Sequence, residues 1–135
     1  TGVQTCALPI YGKGTILLVD DEEMILEVGR QMLQSLGYQV LTTQSGKEAL
    51  EVYQQQGNRI DLVVLDMIMP GMGGGETYDR MRAMDEKVKV LLSSGYSING
   101  QAEAIMDRGC RGFIQKPFSL HDLSSKVMDS LEKAT

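Results

Sequence analysis

No stretch of this chain approaches the ~20 consecutive apolar residues that a helix needs to cross a bilayer, so no membrane contact is expected. Positive charge is in the minority. Thirteen Lys and Arg face eighteen Asp and Glu, a formal net charge of -5. A surface of that sign repels phosphate backbones, which argues against nucleic acid as a partner. Cysteine is scarce: Cys6 and Cys110 stand in no spacing typical of a disulfide framework or metal site. A reducing, cytoplasmic compartment fits that usage. Histidine occurs once, at His121, with no phosphotransfer pattern around it. It reads as a surface residue, and Cys110 as an inert thiol near a loop. The chain has no initiator Met, and no repeat or low-complexity tract follows residue 14.

What is present describes one globular domain. With 135 residues, 42% hydrophobic and 23% charged, the chain can bury a core without disulfides or metals. Residues 1–10 resemble the conceptual translation of a sequencing adapter and are set apart as a scar. Gly12-Lys13-Gly14 reads as a tether from an upstream domain. The expected division is a non-native scar and tether over 1–14 and one domain over 15–133.

Strand and helix patterns then alternate. Thr15–Asp20 is an apolar run suited to a strand buried on both faces. Glu22–Leu36 carries Ile25, Val28, Gly29, Met32 and Leu36 at helical spacing, with Gly37 as its stop. Tyr38–Thr43 is the second strand. Ser45 and Glu48 form a capping box for the second helix, whose inner face is Ala49, Leu50 and Tyr53. Strands over 61–66, 88–93 and 112–115 alternate with helices over 74–84 and 97–108. A last helix is capped by Ser119, with Leu123, Val127 and Leu131 inward and Leu120 and Met128 flanking. Five strands and five helices in alternation predict a flavodoxin-like (βα)5 fold. It is a doubly wound, five-stranded parallel sheet with helices on both faces. The nine scattered Met residues read as core filler.

Parallel strands bring their C-terminal ends to one edge. Asp20, Asp21, Asp66, Ser94 and Lys116 all fall at or just past such ends. Three carboxylates meeting there repel one another unless a cation intervenes. Hard oxygen ligands of this kind suit Mg²⁺. An Asp carboxylate can act as a nucleophile and become an acyl phosphate. Lys116 and Ser94, with the metal, would then meet the new phosphoryl oxygens. Taken alone, Asp20 and Asp21 would simply cap the first helix, Lys116 would be a solvated charge, Ser94 a loop serine, and Phe113 core.

Together the motifs resemble the receiver domain of bacterial response regulators, over about Thr15 to Leu131. The resemblance rests on Asp20-Asp21, on Asp66-Met67-Ile68-Met69-Pro70-Gly71-Met72-Gly73-Gly74, on Ser94-Gly95 and on Lys116-Pro117-Phe118. The family often has Asp where Gly73 stands. The likeness implies that Asp66 is the phosphoacceptor and that Asp20, Asp21 and Asp66 bind Mg²⁺ together with the backbone carbonyl of Ile68. It makes Lys116 a phosphate contact and Ser94 and Phe113 the switch pair, and it implies a cis bond before Pro117. The donor would be a phosphohistidine on a histidine kinase or phosphotransfer domain. Phosphorylation would change the surface of the fourth helix and fifth strand. Ile68 and Tyr96, two residues past Asp66 and Ser94, would tune phosphoryl lifetime by shielding it from water. The domain would regulate and turn over no external substrate.

The phrases Met-Ile-Met-Pro-Gly-Met-Gly-Gly-Gly-Glu and Leu-Leu-Ser-Ser-Gly-Tyr-Ser resemble C-terminal receivers of hybrid sensor histidine kinases, so the donor can lie in the same parent chain. A freestanding receiver is the runner-up, and no DNA-binding output domain is expected after the last helix. Three other functions compete. A haloacid dehalogenase-like phosphohydrolase would carry Asp-x-Asp after its first strand, and here the acids are adjacent. A flavin-binding flavodoxin would carry a Ser/Thr/Gly-rich phosphate loop where this chain has Asp-Asp-Glu-Glu. A phosphorylation-independent docking module would not need the full set of site residues.

Overall fold

A computed structural model describes residues 12–95 and 100–132. Its elements are β1 (Thr15–Val19), α1 (Glu23–Ser35), β2 (Gln39–Thr43), α2 (Gly46–Gln56), β3 (Leu62–Asp66), α3 (Gly74–Met84), β4 (Val90–Ser94), α4 (Gly100–Asp107), β5 (Gly112–Gln115) and α5 (Leu120–Glu132). The five strands form one sheet in the order β2-β1-β3-β4-β5, and every neighbouring pair is parallel. This is the flavodoxin-like arrangement expected from the alternation. The strand order reverses between β1 and β3, where doubly wound sheets open a crevice at their C-terminal edge.

Side-chain alternation along the strands divides the core. Leu17, Val19, Val63, Leu65, Val90 and Leu92 pack with residues of α2, α3 and α4, including Ala49, Tyr53, Met81 and Ile105. Ile16, Leu18, Leu62, Val64, Leu91 and Ile114 pack with α1 and α5 through Leu26, Leu33, Leu123 and Val127. Both faces of β1 and β3 are therefore covered, which is why their sequences are continuous apolar runs.

The inward stripe of α1 differs from expectation. Leu26, Gly29, Leu33 and Leu36 are buried, Ile25 and Met32 are half-buried, and Val28 is exposed. Apolar residues at 24, 25, 26, 28, 32, 33 and 36 allow two overlapping stripes at helical spacing, and packing on Leu18 selects between them. Gly29 marks the closest approach: a Cβ there would lie 2.8 Å from Leu18 Cδ2. Gly37 ends the turn after α1 with φ 103°, a left-handed conformation that favours glycine.

At the other end of the chain, α5 buries Leu123 and Val127 as expected, while Leu120 is exposed and Leu131 and Met128 are half-buried. Ser124 and Ser130 fill buried positions instead. Strand β4 begins at Val90, two residues later than expected. Val88 is buried outside the strand, in a turn closed by its N–H donating to the Asp85 carbonyl. The predicted start of α4 at Ser97 lies outside the described residues, as do the expectations for residues 1–11, Cys6 included. No helix among the described residues is long and apolar enough to cross a membrane.

Both serine caps form. Ser45 Oγ accepts from the Glu48 N–H at 3.1 Å, and Ser119 Oγ from the Asp122 N–H at 3.0 Å. The Glu48 carboxylate completes its box one residue early, accepting from the Gln44 N–H at 2.9 Å.

Candidate functional site

The strand register builds the site. Val19 lies between Thr43 and Leu65, Asp66 beside Ser93, and Ser94 beside Gln115. The residues just beyond Val19 and Gln115, and the last residues of β3 and β4, therefore converge at one edge of the sheet. Asp66 is the final residue of β3 and is 3% exposed; Asp20, directly after β1, is 1% exposed. Asp21 is exposed at the rim. Ligand oxygens of Asp20, Asp21 and Asp66 all lie within 4.8 Å of one another.

Lys116 reaches across this cluster. Its Nζ donates to Asp20 Oδ2 at 2.8 Å and to Asp66 Oδ1 at 3.3 Å, although 96 and 50 residues separate them in sequence. The ammonium is itself nearly buried. The Lys116 backbone N–H donates to the Ser94 carbonyl at 2.7 Å, which ties the start of the β5 exit to the end of β4. The Lys116-Pro117 bond is cis. Ser94 is buried at the base of a cleft of about 540 Å³, lined by Asp21, Glu22, Asp66, Ile68, Lys116 and Pro117 among others. Asp20 also accepts from the Glu22 N–H at 2.9 Å, so it supports the first turn of α1 while facing the site.

The electrostatics follow from this crowding. Burial pushes the Asp66 carboxyl up to about 7, the Asp20 charge and a hydrogen bond with Asp21 add to the rise, and Lys116 opposes it. Burial alone would lower the Lys116 ammonium, but its hydrogen bonds and charge pairing with Asp20 and Asp66 outweigh that and hold it above the usual lysine value. One monovalent cation thus leaves the acids undercompensated. A divalent cation with oxygen preference fits this donor set: three carboxylates meet, two of them buried, in a cleft open to solvent.

Of the sequence-predicted site residues, Asp20, Asp21, Asp66, Ser94 and Lys116 come together. Ile68 stands at the rim and is 53% exposed. Phe113 sits beside Leu92 in the sheet, half-buried against the α2–α4 core, so its packing role and its position next to β4 coincide. Tyr96 lies outside the described residues. His121 is exposed, and burial pushes the Cys110 thiol up to about 12, which leaves it unreactive near neutral pH.

One contributor was missed, Glu22, and one motif glycine, Gly74, gains its physical reason. Glu22 Oε1 lies 3.9 Å from Lys116 Nζ at the cleft mouth; its place directly after the acidic pair marks a charge near the site but not this contact. At Gly74, a Cβ would lie 2.5 Å from the Asp66 carbonyl oxygen and 2.8 Å from Met67 Cα. Those are backbone atoms that cannot step aside, so the start of α3 can pack under Asp66 only as glycine.

Comparison with known proteins agrees with this geometry. Residues 16–128 match the response regulator receiver domain family. Sensor kinase CckA of Brucella abortus is 38% identical over 127 residues, 94% of this chain but 13% of that protein. Response regulator MprA of Mycolicibacterium vanbaalenii is 32% identical over 89% of this chain and 51% of its own length. The chain thus spans a small part to about half of these relatives. Among solved structures, the receiver domain of hybrid histidine kinase CckA superposes with a TM-score of 0.74 at 31% identity, covering 88% of this chain and all (100%) of that one. The CheX-CheY-BeF3-Mg complex from Borrelia burgdorferi contains a chain with a TM-score of 0.84 at 26% identity, covering 89% of this chain and 90% of that one.

Proposed function

The chain belongs to the family of response regulator receiver domains of two-component systems, and on that premise we propose that Asp66 is its phosphoacceptor. The observation that carries this reading is the Lys116 ammonium held between Asp20 and Asp66 at the end of β3. Of the three clustered acids, Asp66 has both burial and access to the cleft beside Ser94. Its carboxylate oxygen attacks phosphorus of an incoming phosphohistidine and forms a mixed anhydride, while the phosphorus–nitrogen bond breaks and the donor imidazole leaves with the bonding electron pair. Lys116 holds a phosphoryl oxygen and offsets the charge gathered there. Ser94 donates its hydroxyl to another phosphoryl oxygen, and Phe113 moves into the space beside β4 as Ser94 is drawn toward the cleft.

Mg²⁺ is the proposed cofactor, held by Asp20, Asp21, Asp66 and the Ile68 carbonyl; when bound it neutralises acidic charge and polarises the phosphoryl group. The proposed domain spans 15–133, preceded by scar and tether. The proposed donor is a histidine kinase or phosphotransfer domain, in the same parent chain by analogy with the hybrid kinase relative. The proposed compartment is the cytoplasm, and the proposed role is a switch of the α4–β5 surface without turnover of any external substrate. Neither the hydrolase alternative nor the docking module has a specific observation in its favour.

Incubation with Mg²⁺ and acetyl phosphate followed by intact mass tests the reading. A gain of one phosphoryl that vanishes in Asp66→Ala supports it; an equal gain in the variant refutes it. Lifetime is a second proposal. The apolar Ile68 side chain at the cleft rim excludes attacking water, in concert with Tyr96. Phosphate release from Ile68→Asn with Tyr96→Ala is expected to be faster than from the unchanged protein; equal or slower release would show that these side chains do not shield the anhydride.

A further inference from the structure

We propose that Glu22 sets which phosphodonors the site accepts, its carboxylate at the cleft mouth disfavouring small, doubly charged donors such as acetyl phosphate. The inference rests on the reading of Asp66 as phosphoacceptor. Glu22 lines the same cleft as Asp66, Ser94 and Lys116. Its side chain is 65% exposed, and its carboxylate stands 3.9 Å from Lys116 Nζ. It is outside the trio of carboxylates that converge closely enough to share one cation. Its structural contact to Asp20 uses the backbone N–H and not the side chain, so substitution at the side chain leaves that support in place.

Charge decides the matter. Asp20, Asp21 and Asp66 carry three negative charges, and Lys116 with a divalent cation carries three positive ones. Glu22 adds a negative charge that nothing in that set offsets. It also draws on Lys116, the group that must turn toward the phosphoryl oxygens. In the transfer itself, an Asp66 oxygen bonds to phosphorus and the phosphorus–oxygen bond to acetate breaks. Acetate leaves with the bonding electron pair, and no proton needs to move. The approaching dianion therefore feels Glu22 before any compensating bond has formed. One charge about 6 Å from a dianion in water disfavours approach roughly tenfold before screening. Dissolved ions reduce that, because the screening length falls from ~17 Å at 30 mM ionic strength to ~4 Å at 0.5 M.

The test compares the full chain with Glu22→Gln and Glu22→Asp at saturating Mg²⁺. Initial rates of phosphoryl gain are followed by intact mass against donor concentration, with acetyl phosphate as the dianion and phosphoramidate as a donor of lower charge. For Glu22→Gln, kcat/KM for acetyl phosphate is expected to rise about fivefold at ~30 mM ionic strength and about twofold or less at 0.5 M salt. The change should appear in KM. The gain with phosphoramidate should be about twofold, and Glu22→Asp should match the unchanged protein. Beryllofluoride binding by calorimetry should tighten about twofold in Glu22→Gln, which reads the same charge without turnover. Equal gains with both donors, gains insensitive to salt, or no gain would overturn the role of Glu22 while leaving Asp66 as acceptor. Failure of the unchanged protein to take up phosphoryl from either donor would overturn the acceptor reading and this inference with it.

Discussion

Changing Lys116 to methionine is expected to slow phosphoryl uptake at Asp66 by about a hundredfold or more, the usual loss when one preorganised charge donor leaves a transfer site. Methionine keeps most of the side-chain volume and removes only the ammonium. In the unchanged protein that ammonium bonds to both buried acids, at 2.8 Å and 3.3 Å. Its removal also leaves Asp20 and Asp66 facing each other without their shared cation, and breaking a buried pair this way costs about 3 kcal/mol of folding stability. Asp66 can relieve part of that by taking up a proton. The variant should therefore unfold at lower denaturant concentration without Mg²⁺ and recover part of the loss with it. Rates of mass gain and urea unfolding, each with and without Mg²⁺, measure both effects. Uptake within threefold of the unchanged rate would show that Lys116 does not serve the transfer.

The second large effect is a pH dependence of stability in the absence of divalent cations. Burial and the neighbouring Asp20 push the folded Asp66 up to about 7, against 3.8 for the unperturbed group. Between those values the folded chain holds a proton that the unfolded chain has released. Stability then falls as pH rises through that window and levels off above about 7. The full difference amounts to about 4 kcal/mol. Other carboxylates titrate over the same range, so the quantity to compare is the difference between the unchanged protein and Asp66→Asn. That difference should favour the unchanged protein progressively as pH is lowered from 8 to 5. Saturating Mg²⁺ should flatten it, because a cation stabilises the ionised acid. Parallel stability curves for the two proteins, without metal, would mean that Asp66 is not held in this environment.

Much of the site was legible because parallel sheets translate sequence position into space. An apolar run that ends in a charge marks a strand end, and all such ends share an edge. Asp20, Asp66, Ser94 and Lys116 could be brought together by that rule alone. The helix stripes were harder. In α1 the residues at 25, 26, 28, 29, 32, 33 and 36 supply more small or apolar positions than one face can bury, and only contact with Leu18 and Phe118 chooses among them. In α5 the inward Ser124 and Ser130 broke the apolar pattern, while Leu120 at the helix start remained outside. Glu22 was hidden for a different reason. Its distance to Lys116 depends on how the chain turns into α1 after Asp20, a tertiary fact that spacing does not encode. Gly74 stood in the motif, but its need for a bare Cα comes from the backbone of Asp66 and Met67 lying against it, which spacing does not encode either.

Chemical trapping measures the central claim most directly. Chain treated with Mg²⁺ and acetyl phosphate is reduced with borohydride, which converts an aspartyl phosphate to homoserine, and its peptides are sequenced by mass spectrometry. Homoserine at position 66, with Asp20 and Asp21 unchanged, is the predicted result. Homoserine at 20 or 21, or a phosphoryl on any other side chain while Asp66 stays intact, would contradict it.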